Sequence, residues 1–181
     1  MKKSFALFLL LLNFSLFTNS CKEKIKPSII NAKIEGVYPT QESWDSRITF
    51  TREGKLLAIL EVKHLLIYED RKETLLEDGI KVDFYDEQQK HTTTLIARRG
   101  TVNDMTKDLA AYGNVIVTSE DGTTLKTEKL FWKNNTQKIE TDAYVEIDSP
   151  KEKIRGTGLV SDQNLKNYKI INVTGQTTKV D

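Results

Sequence analysis

The stretch AYGNVIVTSEDGTTLKTEKLFW, from Ala111 to Trp132, decides the fold. Val115 and Val117 lie two residues apart on one side of an Asp-Gly pair, and Leu125 and Thr127 repeat this spacing on the other side. A period of two is typical of a β-strand with one buried face. A three-residue loop at 120–122, with its glycine left-handed, sets Val117 opposite Leu125, whereas a two-residue loop would oppose Val117 to Lys126. Matching of apolar partners favours the three-residue loop and predicts a hairpin.

Three further hairpins repeat this pattern, and the chain after residue 40 has no convincing helical periodicity. Their polar turns lie at 52–54, near Gln89 and around Pro150. The predicted cross-strand partners are Phe50 with Leu56, Phe84 with Leu95, and Ile147 with Ile154. The pattern therefore predicts an all-β domain in which two twisted antiparallel sheets face each other, each with one apolar side.

The predicted interior is formed by the inward-facing residues of these strands. They are Ile48, Phe50, Val82, Phe84, Leu95, Val115, Val117, Leu125, Val145 and Ile147. Small residues such as Ala97 and Ala111 leave room for a slot between the sheets, and a solid core is the alternative. Trp132 and Tyr112 lie near turns, where each packs in the core or lines the rim of an apolar groove.

The first twenty residues are predicted to be a secretory signal peptide. Lys2 and Lys3 precede the short apolar run Phe5–Leu12, which is too short to span a bilayer comfortably as a permanent helix. A positive start, a short apolar run and small residues before a cleavage point are the marks of such a signal.

Cys21, the single cysteine of the chain, follows this signal directly. Its position resembles a lipobox, in which the cysteine becomes the acylated first residue of the mature protein. The alternative is a plain secretory signal with an incidental thiol. Acylation would anchor the chain to a membrane surface, since each buried methylene contributes about 0.8 kcal/mol. Residues 21–40 then form a lipidated start and tether, and 41–181 the β-domain.

The composition and motifs give no sign of catalysis or of nucleic-acid binding. The 27 basic and 26 acidic residues nearly cancel, so no electrostatic surplus for nucleic acid exists. His64 and His91 have no metal-ligand partner at strand or helix spacing. No nucleophile elbow or phosphate loop occurs, which predicts a protein that is not an enzyme and has no metal or cofactor. The adjacent arginines at 98–99 suit a surface salt bridge or, alternatively, an anionic headgroup.

The segment Phe84–Trp132 resembles the LptC family, as do IETDAYVEI and RGTGLVSDQNLKNYKIINVTG. The elements GNVIVTSEDG and TEKLFW and the later GTGL at Gly156–Leu159 are the most specific, and the resemblance covers Ile48 to Gly175. It implies a twisted, open β-jellyroll on the periplasmic side of the inner membrane. The implied function is to receive lipopolysaccharide from an ABC transporter of the LptB/LptF/LptG type and pass it to an LptA-like bridge protein.

An apolar groove would suit this role. A lipid with several acyl chains loses about 0.8 kcal/mol for every methylene pulled into water, and apolar residues offset that loss without any catalytic group. The last strand carries Tyr168, Ile170 and Val173, and its free edge would accept a strand of the bridge protein. The family's better-known members use an uncleaved transmembrane helix, which a lipid anchor at Cys21 would replace here, with the outer membrane as an alternative destination.

Two other functions compete with lipid transfer. The first is a periplasmic or surface lipoprotein whose β-sandwich binds glycan or serves structurally. The second is a hydrolase, which lacks a recognisable triad or metal set and would need a role for His64.

Overall fold

The structure, a computed structural model, describes residues 37–179, and over this range it contains strands and no helix. The predicted signal peptide, Cys21 and most of the predicted tether lie outside the described residues. Within them no helix is long and apolar enough to cross a membrane. The strands are β1 (Gln41–Arg52), β2 (Lys55–Tyr68), β3 (Glu73–Tyr85), β4 (His91–Ala97), β5 (Arg99–Asn103), β6 (Leu109–Ser119), β7 (Thr124–Lys133), β8 (Lys138–Asp148), β9 (Glu152–Asp162) and β10 (Tyr168–Thr178).

All ten strands belong to one antiparallel sheet in which neighbours in sequence are neighbours in space. β4 and β5 are two parts of one strand interrupted at Arg98, and both pair with β3 and β6. Within residues 37–179, β1 pairs only with β2 and β10 only with β9. The predicted all-β sandwich is confirmed, with one difference: the two facing layers are halves of a single folded sheet, not two sheets.

A line of irregular pairing crosses the sheet near the middle of its strands and divides it into these halves. Left-handed residues lie on this line at Asp45, 78–79, 113–114 and Gly158. The Gly79 amide donates to the Arg98 carbonyl (2.7 Å). An extra residue in one strand bends it and increases its twist, so a row of such bulges folds the whole sheet. We call this row the bulge line.

The two sides of the bulge line are called layer A and layer B. Layer A contains residues 46–62, 80–97, 115–127, 145–157 and 173–178. Layer B contains residues 41–44, 64–77, 99–112, 130–141 and 159–170.

Each layer presents to the other a continuous row of cross-strand partners. The row in layer A is entirely apolar from β1 to β9, and it runs through Ile48, Leu60, Val82, Leu95, Val117, Leu125, Ile147 and Ile154. The row in layer B runs from β2 to β10 through Ile67, Thr74, Val102, Leu109, Trp132, Ile139, Ser161 and Tyr168. Directly opposed residues share a face of the sheet, so these rows are the inner surfaces of the layers.

Aromatic side chains join the layers at the centre. The ring of Trp132 in layer B lies 5.2 Å from that of Phe84 and 6.3 Å from that of Phe50, both in layer A. Tilted and edge-on rings at these separations are favourable beyond the area that they bury. The interior is therefore a packed core at its middle.

Two of the four predicted hairpin registers are confirmed. Val117 lies opposite Leu125 around the loop at 120–122, and Ile147 lies opposite Ile154. In the first of these hairpins the Asp121 carboxylate accepts the Thr123 amide (3.0 Å), which fixes the shape of the loop.

The other two registers are wrong by two residues. Phe50 pairs with Ala58 instead of Leu56, because the turn contains two left-handed residues at 53–54 and a bulge follows Phe50. Phe84 pairs with Thr93 instead of Leu95, because the turn is closed by the bond from the Asp86 amide to the Lys90 carbonyl (3.0 Å) and is centred on residue 88, and the bulge between Phe84 and Tyr85 offsets only part of this shift. Both bulges add a residue that alternation of apolar side chains does not reveal.

The two faces of β4 provide a matched test of this fold. Leu95 is 1% exposed in the layer A row, and its neighbour Ile96 is 44% exposed on the outer face. We expect Leu95→Ala to lower the free energy of unfolding by about 2–5 kcal/mol, because it leaves a cavity in the core. Ile96→Ala is expected to cost less than about 1 kcal/mol, since little apolar area is lost. Urea denaturation of both variants measures the difference, and equal losses would contradict the assignment of faces.

Candidate functional site

The residues predicted to line a groove all lie on the inner faces of the layers. Nine of the eleven are almost completely buried: Val82, Phe84, Leu95, Val115, Val117, Leu125, Trp132, Val145 and Ile147. Ile48 and Phe50 are partly buried and pack against this cluster. In this conformation the nine contact one another, and a ligand reaches them only if the layers separate.

The interior opens at the side formed by β1. Ile48 and Phe50 of layer A face Thr74 and Val102 of layer B across a cleft of about 330 Å³. The Thr74 hydroxyl donates to the carboxylate of Asp104 (3.0 Å) at its rim. This side of the core is half-covered because, within the described residues, β1 has no strand beyond it. Apolar residues therefore meet solvent here.

The loop between β9 and β10 closes the interior at the tips of β3 and β4. Leu165 inserts its side chain into the core and is 1% exposed, although its backbone is left-handed (φ 57°). The Thr93 hydroxyl donates to the Gln163 carbonyl (2.8 Å), and the Gln163 side chain donates to the Tyr85 carbonyl (3.2 Å). These bonds fasten a layer B loop to layer A.

The last strand carries the apolar inner face out to the edge of the sheet. Val173 pairs with Gly156, and Gly156 pairs with the buried Val145, so the three share a face. Ile170 packs against the core, whereas Val173 is 54% exposed. A β-carbon on Gly156 would lie 2.3 Å from the Asn172 carbonyl oxygen, which explains the glycine. The inner surface thus ends at β10 without a cover from the described residues.

Tyr168, the first residue of β10, connects this edge to layer A. Its hydroxyl donates to the carboxylate of Glu152 (3.0 Å) across the opening between the layers. Burial, and then this hydrogen bond, raise the pKa of Tyr168. The phenol therefore stays protonated and remains a donor to Glu152 through the physiological range.

Alternation of apolar residues missed half of the interior. The predicted set contains most inner residues of layer A but none from β2, where Ala58, Leu60 and Val62 are buried, and from layer B it contains only Trp132 among its groove candidates. The alternation changes phase at the bulge line. In β2 the inner residues are Leu60 and Val62 before it and Leu65 after it, and in β7 they are Thr127 and then Leu130. The left-handed Asp and Gly residues in mid-strand were the signal that could have located this change.

The other singled-out residues lie on the outer surface. The His64 Nε2 is 2.7 Å from Glu42, and its ring stacks on Trp44 at 5.3 Å. Arg99 lies over the ring of Tyr112 at 5.9 Å. Among residues 37–179 no three His, Cys, Asp or Glu side chains are grouped so as to hold a metal ion.

This arrangement defines a β-jellyroll with an apolar interior that is partly open at one side and continues to a last strand that no described residue covers. The sequence identifies which jellyroll family it is. Residues 6–178 match the family described as lipopolysaccharide-assembly, LptC-related, and the chain belongs to this family. Membership implies a role in lipopolysaccharide transport, as a transport component, in the periplasm in association with the inner membrane. No match was found among curated proteins.

Two substitutions of Leu165, in the loop that closes the interior, test whether its backbone is strained. Leu165→Ala removes a buried side chain and keeps the left-handed backbone, so we expect a loss of about 2–5 kcal/mol in the free energy of unfolding. Leu165→Gly removes the same side chain but relieves the backbone strain, which is about 1–2 kcal/mol. The glycine variant should therefore equal or exceed the alanine variant in stability. A glycine variant clearly less stable than alanine would contradict a strained Leu165.

Proposed function

We propose that this chain receives lipopolysaccharide from an inner-membrane ABC transporter of the LptB/LptF/LptG type and passes it to an LptA-like bridge protein. The observation that carries this proposal is the pair of inner rows, which run across the sheet from its first strands to its last. Family membership supports the transport role, and the rows supply a path from β1 to β10.

The energetics of the lipid explain why the path is apolar. At about 0.8 kcal/mol per methylene, a chain of about a dozen methylenes loses roughly 10 kcal/mol on entering water. The inner rows, in which apolar and aromatic residues predominate and Thr74 and Ser161 are polar exceptions, replace water along this path. Transfer between apolar surfaces leaves this term nearly unchanged, so it requires no catalytic residue.

We infer that the lipid enters where the layers part at β1. The contacts across that side include the edge-on pair of Phe50 and Trp132 and a hydrogen bond from the Arg52 guanidinium to the Asn134 carbonyl (2.6 Å). When these separate, an acyl chain takes the place of the facing layer, and the buried residues exchange one apolar neighbour for another. The nine buried candidates would become the lining of the groove in this open state.

Release would occur at β10. Its outer side presents backbone groups that no strand within residues 37–179 satisfies, and such an edge accepts a strand from a partner. Tyr168, Ile170 and Val173 would then continue into the inner face of the bridge protein. Strand addition keeps the two apolar surfaces in register, which gives the lipid a continuous path.

We propose that the predicted signal peptide and Cys21 position the chain on the membrane. Signal cleavage before Cys21 and acylation of this residue would hold the domain at the periplasmic face of the inner membrane, within reach of the transporter. Residues 21–40 would act as the tether, and β1 begins at Gln41.

Site-specific photo-crosslinking tests the path. Benzoylphenylalanine at Phe50, Phe84 or Val117 is expected to form adducts with lipopolysaccharide in cells that are actively exporting it. Ile96 on the outer face is the control position and should form none. Silence from all three inner positions, with normal folding of the variants, would instead favour the β-sandwich lipoprotein that binds glycan or serves structurally.

Two exposed apolar residues of β10 test the handover. Val173→Asp places a charge on the inner face at the edge, and we expect about tenfold less lipopolysaccharide to reach the bridge protein, because a carboxylate is costly to desolvate. Ile171→Asp changes a residue of the same strand that is 61% exposed and should have little effect. Transfer is measured by crosslinking of lipid to the purified LptA-like bridge protein. Formation of the complex with the bridge protein is measured separately by pull-down. Equal behaviour of the two variants would exclude handover along this face.

A further inference from the structure

A cleft of about 1050 Å³ lies at the β10 end of the domain, beside the apolar interior. The turn between β6 and β7 borders it with Asp121 and Thr123, and the turn between β8 and β9 borders it with 149–152. Residues 165–169 form its third side. This volume is at the upper end of the range for small-molecule sites and has room for a sugar phosphate.

Three lysines line this cleft without acidic partners. They are Lys151, Lys166 and Lys169, and none of their ammonium groups lies within 4 Å of a carboxylate oxygen of residues 37–179. Nearby Lys153 differs, since its ammonium group lies 2.8 Å from Glu146. Three lysines from two separate segments, with no ion-pair partner among residues 37–179, therefore border the cleft.

The two carboxylates of the cleft are occupied by neutral donors. Asp121 accepts hydrogen bonds from the Ser119 hydroxyl (2.5 Å) and the Thr123 amide (3.0 Å). Glu152 accepts from Tyr168 (3.0 Å) and from Gln176 (2.8 Å). Lys166 is close enough to Asp121 to lower the pKa of that carboxyl, but this is the smallest of the contributions. The carboxylates are thus fixed by the protein itself, and the ammonium groups remain for a ligand.

The cleft and the apolar path share residues. Tyr168 lies in the inner row of layer B and also lines the cleft, and Leu165 packs in the core below it. An amphiphile whose chains follow the inner face towards Ile170 and Val173 would therefore hold its headgroup over the lysines.

We propose that this cleft binds the phosphate groups of the amphiphile whose acyl chains occupy the interior, an inference that rests on the proposed function. Lysine ammonium groups bind phosphate as point charges, through charge-assisted hydrogen bonds that are about twice as strong as neutral ones. Lys151, Lys166 and Lys169 are the ligands. The cleft makes the β10 end selective for a phosphorylated headgroup, whereas the apolar rows select only for chains.

The experiment compares three probes on the full-length protein in detergent: diphosphorylated lipid A, the same lipid after enzymatic dephosphorylation, and inorganic phosphate. The test variant replaces Lys151, Lys166 and Lys169 by Gln. The control variant replaces Lys55, Lys63 and Lys126 by Gln, which removes the same charge from exposed lysines outside the cleft that also lack an acidic partner within residues 37–179. Thermal unfolding confirms that both variants fold, since all six side chains are exposed.

The wild type and the control variant are expected to bind diphosphorylated lipid A about tenfold or more tightly than the dephosphorylated lipid, because one such factor needs only about 1.4 kcal/mol. The test variant should lose this preference while its affinity for the dephosphorylated lipid is unchanged. That result separates headgroup recognition from binding of the chains.

Three outcomes would overturn the inference. Equal binding of the two lipids by the wild type removes the headgroup site and leaves the proposed function intact. If the control variant also loses the preference for the diphosphorylated lipid, that preference arises from net charge alone. If inorganic phosphate at an equal concentration displaces the diphosphorylated lipid, the ligand of the cleft is free phosphate. If the wild type binds neither lipid, the proposed function fails instead.

Discussion

The structure depends on one constraint, which is that a ten-stranded sheet with one apolar face must cover that face with itself. The bulge line does this by bending the strands near their middle, so that the rows in layers A and B bury each other. Left-handed positions at 78–79 and 113–114 allow the bend at low conformational cost, since glycine occupies one position of each pair. The proposed binding of acyl chains follows from this folding of one surface onto itself.

In the proposed function, one folded apolar surface is a packed core when it is closed and a lipid groove when it is open, which a rigid pocket could not be. Protein interiors pack at crystal-like density, so an unoccupied slot wide enough for several chains closes, and Phe84 and Trp132 fill its middle. The same residues suit an acyl chain because dispersion and hydrophobic forces do not depend on the identity of the apolar neighbour. In the proposed function, the closed core and the open groove are two states of one set of side chains.

The two ends of the interior differ, and this difference gives the proposed path a direction. The β1 side is only half-covered, which suits entry of the lipid. The other end has the Leu165 loop, the exposed Val173 and the lysine-lined cleft. Acyl chains and headgroup are therefore proposed to be recognised by different surfaces, apolar rows for the first and charge for the second.

The sequence by itself determined the all-β class, the family and most of the inner residues of layer A outside β2. Period-two alternation follows from the alternate projection of side chains, and it located Val117, Leu125 and Ile147 correctly. Only the tertiary structure decided the registers of the first two hairpins, the inner residues of layer B and the closure by Leu165. Each depends on a bulge or a left-handed residue that shifts the phase of the strand, and the stability of that shift comes from contacts distant in sequence, such as Thr93 with Gln163.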